Sequence, residues 1–429
     1  MGKFSLKYGH DYIDFSLDSG DMISTIKSKN FEDSTEEEVI LSALKNPVDS
    51  DRLRYMVKKN EKICIIVSDV TRAWQRMDIY LPYIIEELKY AGVPDENIIF
   101  LCATGSHRKQ SEQEKKKIMG DLYSRFTFIE HDCTDEKSLV YLGDTSFNTP
   151  VKVNKVAMEC DHIILTGAIV FHDLAGWSGG RKSLIPGIAG YDTIMSNHGL
   201  ALKEKVGEGI RETVTCGNFK DNIVHLDMEE GANMIKPSFL FNVIIGDNGS
   251  IVEAVAGNYV KAHRIGCKKV TDRFAVDIEK KADLVLASCG GYPKDMNLYQ
   301  GSKGLINSAK AVKKNGWVIL LAQCEEGIGH PEVEEVIRDF DSNIERELYV
   351  RNNYSISRYS GYLITKTIEN FNTILVSGID EKILENSNIT VVKTIEEALE
   401  IFYKNYNKNT FDYYIIPDGG STMPVVNNI

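Results

Sequence analysis

The stretch His162-Ile-Ile-Leu-Thr-Gly-Ala-Ile-Val170, followed directly by Phe171-His-Asp-Leu-Ala-Gly-Trp-Ser-Gly-Gly-Arg-Lys-Ser183, decides the fold of this 429-residue chain. Its first half is an apolar run, which predicts a buried strand. Its second half is a loop with three glycines, which let the backbone adopt positive φ and approach a ligand closely. A buried strand that ends in such a loop is typical of a parallel α/β sheet, where ligands bind at the carboxyl ends of the strands.

The glycine loop ends in one long amine, Lys182, which either pairs with phosphate or forms a covalent bond. The phosphate-binding template G-x-x-x-x-G-K-[ST] places Gly176, Lys182 and Ser183 in register. Arg181, however, stands where the template requires its second glycine, so the backbone N–H groups cannot wrap a phosphate in the same way. A P-loop-like nucleotide-binding kinase or ATPase is therefore an alternative that this mismatch disfavours.

The composition favours a small molecule as the partner. The chain has 50 Lys and Arg residues against 62 Asp and Glu, a formal charge of −12, which disfavours nucleic acid and anionic membranes. No uncharged apolar run is long enough to span a bilayer and the first residues lack a signal-peptide pattern, so we expect a soluble, cytoplasmic protein. The eight cysteines form no C-x-x-C pair, which favours reduced core thiols over metal ligands.

A rhythm of strand, polar loop and helix runs twice along the chain. It predicts an α/β fold of two domains, each with a mostly parallel sheet flanked by helices, and an active site in the cleft between them. We expect an N-terminal α/β domain over 1–270, a Rossmann-like domain over 282–410, and a closing strand or tail over 411–429 that could return to the first domain. The first domain is predicted to contain a hairpin around Gly9 and a long helix from about Tyr259 to Lys281.

Three polar loops follow predicted strands of the first domain, at 69–72, 104–108 and 171–183. Because the carboxyl ends of parallel strands meet at one edge of a sheet, we expect these loops to converge. Each loop carries a charged side chain or an imidazole, so their meeting point is the candidate site.

Of the nine histidines, His107 and His172 lie in these loops, and His198 lies in the segment that follows the third loop. They show neither H-x-x-x-H nor H-E-x-x-H spacing, which disfavours a zinc site made by protein ligands alone. One imidazole could instead complete a metal already held by an organic cofactor, and the other two could act as acid and base.

A set of motifs, rather than any single one, then points to a family. The motifs are Asp69-Val-Thr-Arg72, Gly105-Ser-His107-Arg108, His172-x-x-x-Gly176-x-Ser-Gly-Gly-x-Lys182 with Pro186-Gly187, His198, and Gly290-Gly-Tyr-Pro-x-Asp-x-Asn-Leu-Tyr-Gln300-x-x-Lys303. With these motifs and their intervals, nearly the whole chain resembles the nickel-dependent lactate racemases and related 2-hydroxyacid racemases and epimerases.

The resemblance implies nickel and a nickel-pincer nucleotide, pyridinium-3,5-bisthiocarboxylic acid mononucleotide, linked covalently to Lys182 in the first domain. Two sulfurs and a carbon of the cofactor would bind nickel, and His198 would be the protein ligand, a set that suits square-planar nickel. One phosphate would then be bound rather than three, and Arg181 could assist as a cation. The remaining cofactor-binding residues implied are Asp69, Gly176, Ser178, Gly179 and Gly180.

The implied reaction is the racemisation of a 2-hydroxy acid by proton-coupled hydride transfer. The hydrogen beside the carboxylate is very weakly acidic, so passing a hydride to the cofactor and back avoids a carbanion. Two bases are needed, one for each enantiomer, and His107 and His172 are the candidates.

The resemblance also implies a substrate pocket made by both domains. Arg72 and Lys303 would bind the substrate carboxylate, and Tyr299 and Gln300 would complete the pocket. Cofactor-biosynthesis proteins would be partners for maturation, whereas nucleic acid and membranes would not be partners.

One departure from the family lies beside the presumed pocket. Ala73-Trp74-Gln75 follows Arg72 where a proline is expected in the lactate enzymes. The substrate is therefore lactate or a related, larger or more polar, 2-hydroxy acid. A non-catalytic binding homologue is a further alternative, although Lys182 and the three histidines argue against it.

Overall fold

The structure is a computed structural model that describes residues 2–17, 19–29, 34–408 and 410–426. Within these residues the chain divides into two compact units. The central unit comprises Phe31–Ala201 and Arg211–Asp272. The terminal unit comprises Met1–Asn30, Leu202–Ile210 and Arg273–Ile429, and therefore contains segments from both ends of the chain.

Strands and helices alternate through most of the described chain. The strands are β1 (Gly2–Tyr8), β2 (Asp11–Leu17), β3 (Asp21–Thr25), β4 (Ile63–Ser68), β5 (Ile98–Ala103), β6 (Thr127–Glu130), β7 (Leu139–Asp144), β8 (Pro150–Asn154), β9 (His162–Ala168), β10 (Phe171–His172), β11 (Gly176–Trp177), β12 (Phe239–Ile245), β13 (Ile251–Gly257), β14 (Ala275–Ile278), β15 (Ala282–Ser288), β16 (Val312–Leu321), β17 (Asn372–Val376), β18 (Ile389–Val392), β19 (Asp412–Ile416) and β20 (Met423–Val426). The α-helices are α1 (Glu36–Lys45), α2 (Leu53–Met56), α3 (Met77–Tyr90), α4 (Glu112–Met119), α5 (Lys155–Met158), α6 (Tyr191–Gly199), α7 (Ile223–Ile235), α8 (Lys261–Phe274), α9 (Leu298–Ala309), α10 (Pro331–Arg338), α11 (Asn343–Asn352), α12 (Ile356–Thr367) and α13 (Ile395–Asn405).

The central unit is built on a six-stranded sheet in the order β13-β12-β9-β4-β5-β6. All neighbours are parallel except β12 and β13. Strand β9, which comes from the apolar run predicted to be a strand, is buried from Ile163 to Ala168. Because β9, β4 and β5 are adjacent and parallel, the three polar loops that follow them leave the same edge of the sheet, as predicted.

The terminal unit has a second six-stranded sheet, in the order β18-β17-β16-β15-β19-β3, and every neighbouring pair is parallel. Alternate residues of β15 enter separate cores. Val285 and Ala287 pack in one cluster, and Leu284 and Leu286 pack in the other. A strand buried on both faces requires a continuous apolar run, which is what the sequence of β15 supplies. The α/β class with two mostly parallel sheets is therefore confirmed.

The division into units differs from the predicted domain boundaries at both ends of the chain. The predicted hairpin around Gly9 forms as β1 and β2, but it belongs to the terminal unit. The closing strand does not return to the first domain. Instead β19 lies between β15 and β3, with Tyr413 paired to Leu284 and to Met22.

The long helix predicted from Tyr259 to Lys281 is also shorter than expected. Helix α8 ends at Phe274, and the chain continues as β14, which pairs in parallel with β20. The β-branched residues Val276 and Ile278 favour a strand once a partner is present. No helix in the described part of the chain has the length and apolar character needed to cross a bilayer.

Candidate active site

The loop after β9 needs its glycines for its own packing. Gly176 has φ 76° and Gly179 has φ 72°, a region in which residues with a side chain are strained. A Cβ atom at Gly176 would lie 2.4 Å from the carbonyl oxygen of Asn218, and one at Gly179 would lie 2.5 Å from Asn242 Oδ1. At Gly180, with φ 55°, it would lie 2.8 Å from the ring of His263. Larger residues here would displace the loop.

Two polar side chains join this loop to the sheet. The Ser178 hydroxyl donates to the carbonyl of Ala168 at 2.8 Å and accepts from the N–H of Val170 at 2.9 Å. The Gly180 N–H donates to Asn242 Oδ1 on β12 at 2.8 Å. The side chain of Ser178, predicted to bind cofactor, is thus engaged in holding the end of β9 to its own loop.

Arg181 points into the protein behind the loop. Its side chain is buried, with Nη2 donating to the carbonyl of Ala175 at 2.6 Å and Nη1 3.3 Å from His263 Nε2. Burial lowers the pKa of Arg181 to about 10. The expectation that this side chain could assist at a phosphate is not supported by these contacts, because the guanidinium is occupied in closing the loop.

Lys182 carries an amine adapted for nucleophilic chemistry. It lies in the 3-10 turn Gly180–Ser183, is half-buried, and places Nζ 3.1 Å from His172 Nε2. Burial, followed by the charge of Arg181, lowers the pKa of Lys182 to about 7. A large fraction of the amine is therefore unprotonated near neutral pH, which is the form that attacks an electrophile.

His172 is fixed by its own loop. Its Nδ1 accepts hydrogen bonds from the N–H groups of Leu174 at 3.2 Å and Ala175 at 3.4 Å, and lies 3.1 Å from Asp173 Oδ1. These contacts set the ring orientation, and Nε2 consequently faces Lys182.

His198 is a buried, neutral imidazole in the last turn of α6. Its Nδ1 lies 3.0 Å from the carbonyl of Ile194 and therefore carries the proton. Burial, then the charges of Lys182 and His172, lower the pKa of His198 to about 3. The hydrogen bonds within the described residues engage only Nδ1, so Nε2 keeps its lone pair for a ligand. A neutral ring oriented by a carbonyl is the form that binds metals.

Asp69 and His107 form a carboxylate–imidazole pair across two neighbouring loops. Asp69 Oδ2 makes a short hydrogen bond with His107 Nδ1, while Oδ1 accepts from the N–H of Thr71 at 3.0 Å. Burial acts to raise the pKa of Asp69, but the hydrogen bond and charge of His107 outweigh it, so the pKa lies below the usual value. The His107 side chain is 45% exposed, which leaves its second ring nitrogen accessible to a ligand.

Arg72 follows in the turn Val70–Gln75. Its Nη1 donates to the Thr71 hydroxyl at 3.0 Å. Its charge contributes to lowering the pKa of Lys182, so the loops after β4 and β9 are electrostatically coupled. In the segment Ala73–Gln75, where the sequence departs from the family pattern, Trp74 is 41% exposed. Gln75 is buried, and its side-chain oxygen accepts a hydrogen bond from the Ser68 hydroxyl at 3.0 Å.

The remaining predicted residues lie in the terminal unit, on the first turns of α9. Asn297 caps this helix by accepting from the N–H of Gln300 at 3.0 Å. Gln300 and Lys303 lie three residues apart on one helix face, with Lys303 Nζ 3.5 Å from Gln300 Oε1. The ring of Tyr299 lies 6.4 Å from that of His330. The helix thus brings two of the predicted substrate-binding side chains together.

Sequence reasoning missed the residues that support the site. His263 and Asn242 pack beneath the glycine loop, and Asn197 ties α6 to Asp227 through a hydrogen bond of 2.8 Å. None of them belongs to a local motif. Only the apolar surroundings of Asn242 in a predicted strand offered a signal, since a polar residue in a buried strand needs a partner.

The donor set fits a metal that an organic cofactor already carries. In the described residues no group of three or more His, Cys, Asp or Glu side chains is arranged to hold a metal ion. The residues instead offer one lone-pair imidazole, His198, and one reactive amine, Lys182. A covalently attached cofactor that brings its own soft ligands would need just these two attachment points.

Both parts of the chain are similar to lactate racemases. The family model for the lactate racemase N-terminal domain matches residues 8–209, and that for the lactate racemase C-terminal domain matches residues 278–424. The lactate racemase of Lactiplantibacillus plantarum is 31% identical over 395 residues, 90% of each chain. The lactate racemase of Thermoanaerobacterium thermosaccharolyticum is 31% identical over 437 residues, 99% of each chain.

Two solved structures are similar to this chain in fold. The lactate racemase apoprotein from Thermoanaerobacterium thermosaccharolyticum has a TM-score of 0.89 at 30% identity, covering 99% of this chain and 100% of that chain. A protein from Thermotoga maritima has a TM-score of 0.63 at 17% identity, covering 93% of this chain and 100% of that chain. The second likeness concerns the fold alone.

Proposed function

This chain belongs to the lactate racemase family and is an isomerase, and we propose that it racemises or epimerises a 2-hydroxy acid with a nickel-pincer nucleotide joined covalently to Lys182. The observation that carries this proposal is the Lys182 amine, with a pKa lowered to about 7, placed 3.1 Å from one imidazole. A second, neutral imidazole, His198, lies close enough for its pKa to respond to the lysine charge.

The chain would hold the cofactor at two chemically different points. Lys182 would form the covalent link, and His198 Nε2 would be the protein ligand to nickel. Gly176, Gly179 and Gly180 would allow the close packing that holds the loop and presents Lys182, while Asp69 would orient the adjoining loop. When bound, the cofactor supplies an acceptor for a hydride from the substrate's C2 carbon.

The proton transfers fall to two histidines. His107, oriented by Asp69, would take the hydroxyl proton from one enantiomer, and His172, oriented by its own loop, would take it from the other. Each histidine would return that proton when the reaction runs the opposite way. The paired carboxylate of Asp69 keeps the His107 proton on Nδ1, so that Nε2 is the basic nitrogen.

Substrate binding would use two cations and two polar side chains. Arg72 would bind the carboxylate with its planar guanidinium, and Lys303 would add a point charge. Gln300 and Tyr299 would complete the pocket. Trp74, exposed two residues after Arg72, favours a substrate with a larger C2 substituent than the methyl group of lactate, because an aromatic face offers it apolar contact.

A nucleotide-binding kinase or ATPase is a weaker alternative. The position where its template requires a glycine holds Arg181, whose side chain is buried and hydrogen-bonded to Ala175. A non-catalytic homologue would have no need for a lysine amine kept largely unprotonated. Both alternatives predict an unmodified Lys182.

The proposal is tested by producing the protein with and without the cofactor-synthesis enzymes. Intact mass, nickel content and racemisation of lactate and of larger 2-hydroxy acids are then measured, with Lys182→Arg as the matched control. We expect an added mass on Lys182, nickel, and racemase activity only with co-production, and none of these in the control. An unmodified mass under both conditions would overturn the covalent link.

A further inference from the structure

One short segment, between the two parts of the chain that form the central unit, belongs to the terminal unit. Residues Leu202–Ile210, with the sequence Leu-Lys-Glu-Lys-Val-Gly-Glu-Gly-Ile, belong to the terminal unit, whereas Ala201 and Arg211 on either side belong to the central unit. We call this segment the strap. Its two ends pair as an antiparallel bridge between Leu202 and Ile210. The strap begins four residues after His198, the predicted nickel ligand.

Within the terminal unit, a buried carboxylate on α11 binds the strap. The two oxygens of Glu347 accept hydrogen bonds from the N–H groups of Gly207 at 3.2 Å and Gly209 at 3.1 Å. Glu347 is only 1% exposed. Gly207 and Gly209 have φ of 88° and 78°, a conformation that suits glycine and turns both N–H groups toward one acceptor.

The remaining contacts of Glu347 fix its position. Arg351 donates to it through Nε at 3.0 Å and Nη2 at 2.7 Å, and the Tyr362 hydroxyl donates at 3.0 Å. The same Arg351 Nη2 also donates to the carbonyls of Lys203 at 2.7 Å and Lys205 at 3.0 Å. A buried charge is tolerated only when it is paired and hydrogen-bonded, so the carboxylate and the strap hold each other in one arrangement.

The two residues that flank the strap are hydrogen-bonded to each other, and the first of them is bonded to the turn that carries His198. The N–H of Ala201 donates to the carbonyl of His198 at 3.1 Å, and the N–H of Arg211 donates to the carbonyl of Ala201 at 2.9 Å. On the preceding side, Asn197 anchors α6 to Asp227. His198 therefore lies between Asn197, which is anchored to Asp227, and Ala201, the residue that precedes the strap.

We propose that Glu347 is a positioning residue for His198, acting through the strap Leu202–Ile210. This inference rests on the proposed function in taking His198 as the nickel ligand. The physical reason is that Ala201, the residue before the strap, is hydrogen-bonded to the carbonyl of His198 and to the N–H of Arg211, the residue after the strap. Within the strap, Gly207 and Gly209 are bound to Glu347. A change at Glu347 would therefore reach the turn after α6 through the chain of the strap.

The first measurement uses the apoprotein and amide hydrogen exchange. Glu347→Ala removes the acceptor for Gly207 and Gly209, and losing hydrogen bonds to a charged group speeds local exchange roughly tenfold or more. We expect faster exchange at these two amides and also at Ala201 and Arg211. Glu345→Ala, which removes the cap of the same helix but no strap contact, is the matched control and leaves residues 198–211 unchanged.

The second measurement uses the loaded enzyme. Nickel release into a chelator is followed together with intact mass. Glu347→Ala is expected to release nickel roughly tenfold faster, while the added mass on Lys182 persists. Glu347→Gln, which keeps the shape but loses the charge, should show the same pattern with a smaller change, and it serves if the alanine variant does not fold.

Faster exchange confined to Gly207 and Gly209, with residues 198–201 and nickel release unchanged, would overturn the positioning role. This result is distinct from failure of the proposed function, which would appear as a wild-type protein without added mass or nickel. In that case the exchange experiment would still decide whether the strap controls the turn after α6.

Discussion

Asp69 and His107, which are 38 residues apart in the sequence, share a short hydrogen bond between carboxylate Oδ2 and ring Nδ1. The carboxylate is buried, the imidazole is half-exposed, and they stand on loops after the adjacent strands β4 and β5. The pair is therefore a buried orienting group and an accessible base, a division of roles that general-base chemistry uses.

Asp69→Asn should reduce turnover in both directions. The amide can donate to Nδ1 of His107, which stabilises the wrong tautomer and moves the proton to Nε2. Removing base assistance costs about 10² to 10⁴ in rate, and we expect Asp69→Asn to approach the value of His107→Ala. The check is kcat for each enantiomer with equal cofactor loading. Full activity in Asp69→Asn would show that the pair has no catalytic importance.

The parts of this site that follow one strand and its loop were predictable, and those that join distant segments were not. The apolar run before Lys182 predicted β9 and its glycine loop, because burial and turn geometry are local properties of the sequence. The partner of Asp69 could not be predicted, since it depends on the order of β4 and β5 in the sheet. The hydrogen bond from the N–H of Thr71 to Asp69 is, by contrast, a local contact that is common for aspartate at the start of a turn.

The burial of Arg181 and the pairing of β3 also depend on residues that are distant in the sequence. An arginine in a polar loop is usually exposed, so nothing in the sequence indicated that Arg181 would be buried against Ala175 and His263. Strand β3 is short and largely exposed, and it joins the sheet by pairing with β19 at the far end of the chain. Such long-range pairing leaves no local pattern.

The reactivity of Lys182 in the apoprotein should depend on pH in a distinctive way. With a pKa of about 7, its modification by an amine-selective reagent should be half-maximal near that pH, as measured by peptide mass spectrometry. Lys58, with a side chain 79% exposed, serves as the control for the reagent. Equal pH profiles for the two lysines would contradict the lowered pKa.

The same lowered pKa affects stability. The folded state binds fewer protons than the unfolded state between about pH 7 and the ordinary lysine value of 10.5, so the apoprotein gains stability as pH rises through this window. Lys182→Met lacks this dependence. The free energy of unfolding, measured in urea, should therefore increase with pH for the wild type relative to Lys182→Met.

His198→Ala should separate nickel binding from cofactor attachment. The substitution removes the proposed nickel ligand without touching the Lys182 amine, so the intact mass should still show the attached nucleotide while nickel content falls at least roughly tenfold. Nickel retained at the wild-type level, with the same off-rate, would place the protein ligand elsewhere.

Lys303→Ala is expected to weaken substrate binding and turnover while leaving the mass on Lys182 intact, because Lys303 lies on α9 of the terminal unit. Lys303→Arg, which keeps the charge, should retain more activity. The readouts are KM, kcat and intact mass. Lost attachment with unchanged KM would mean that Lys303 serves cofactor loading rather than the substrate.

The most direct test of the proposed chemistry follows a deuterium label at C2 of the 2-hydroxy acid through racemisation in ordinary water. A hydride that leaves and returns without meeting solvent should keep most of the label in the product, even though the hydroxyl proton exchanges at His107 and His172. Hydride transfer predicts a racemised product that retains deuterium at C2. Extensive replacement of that deuterium by solvent hydrogen would indicate proton abstraction through a carbanion and would contradict hydride transfer.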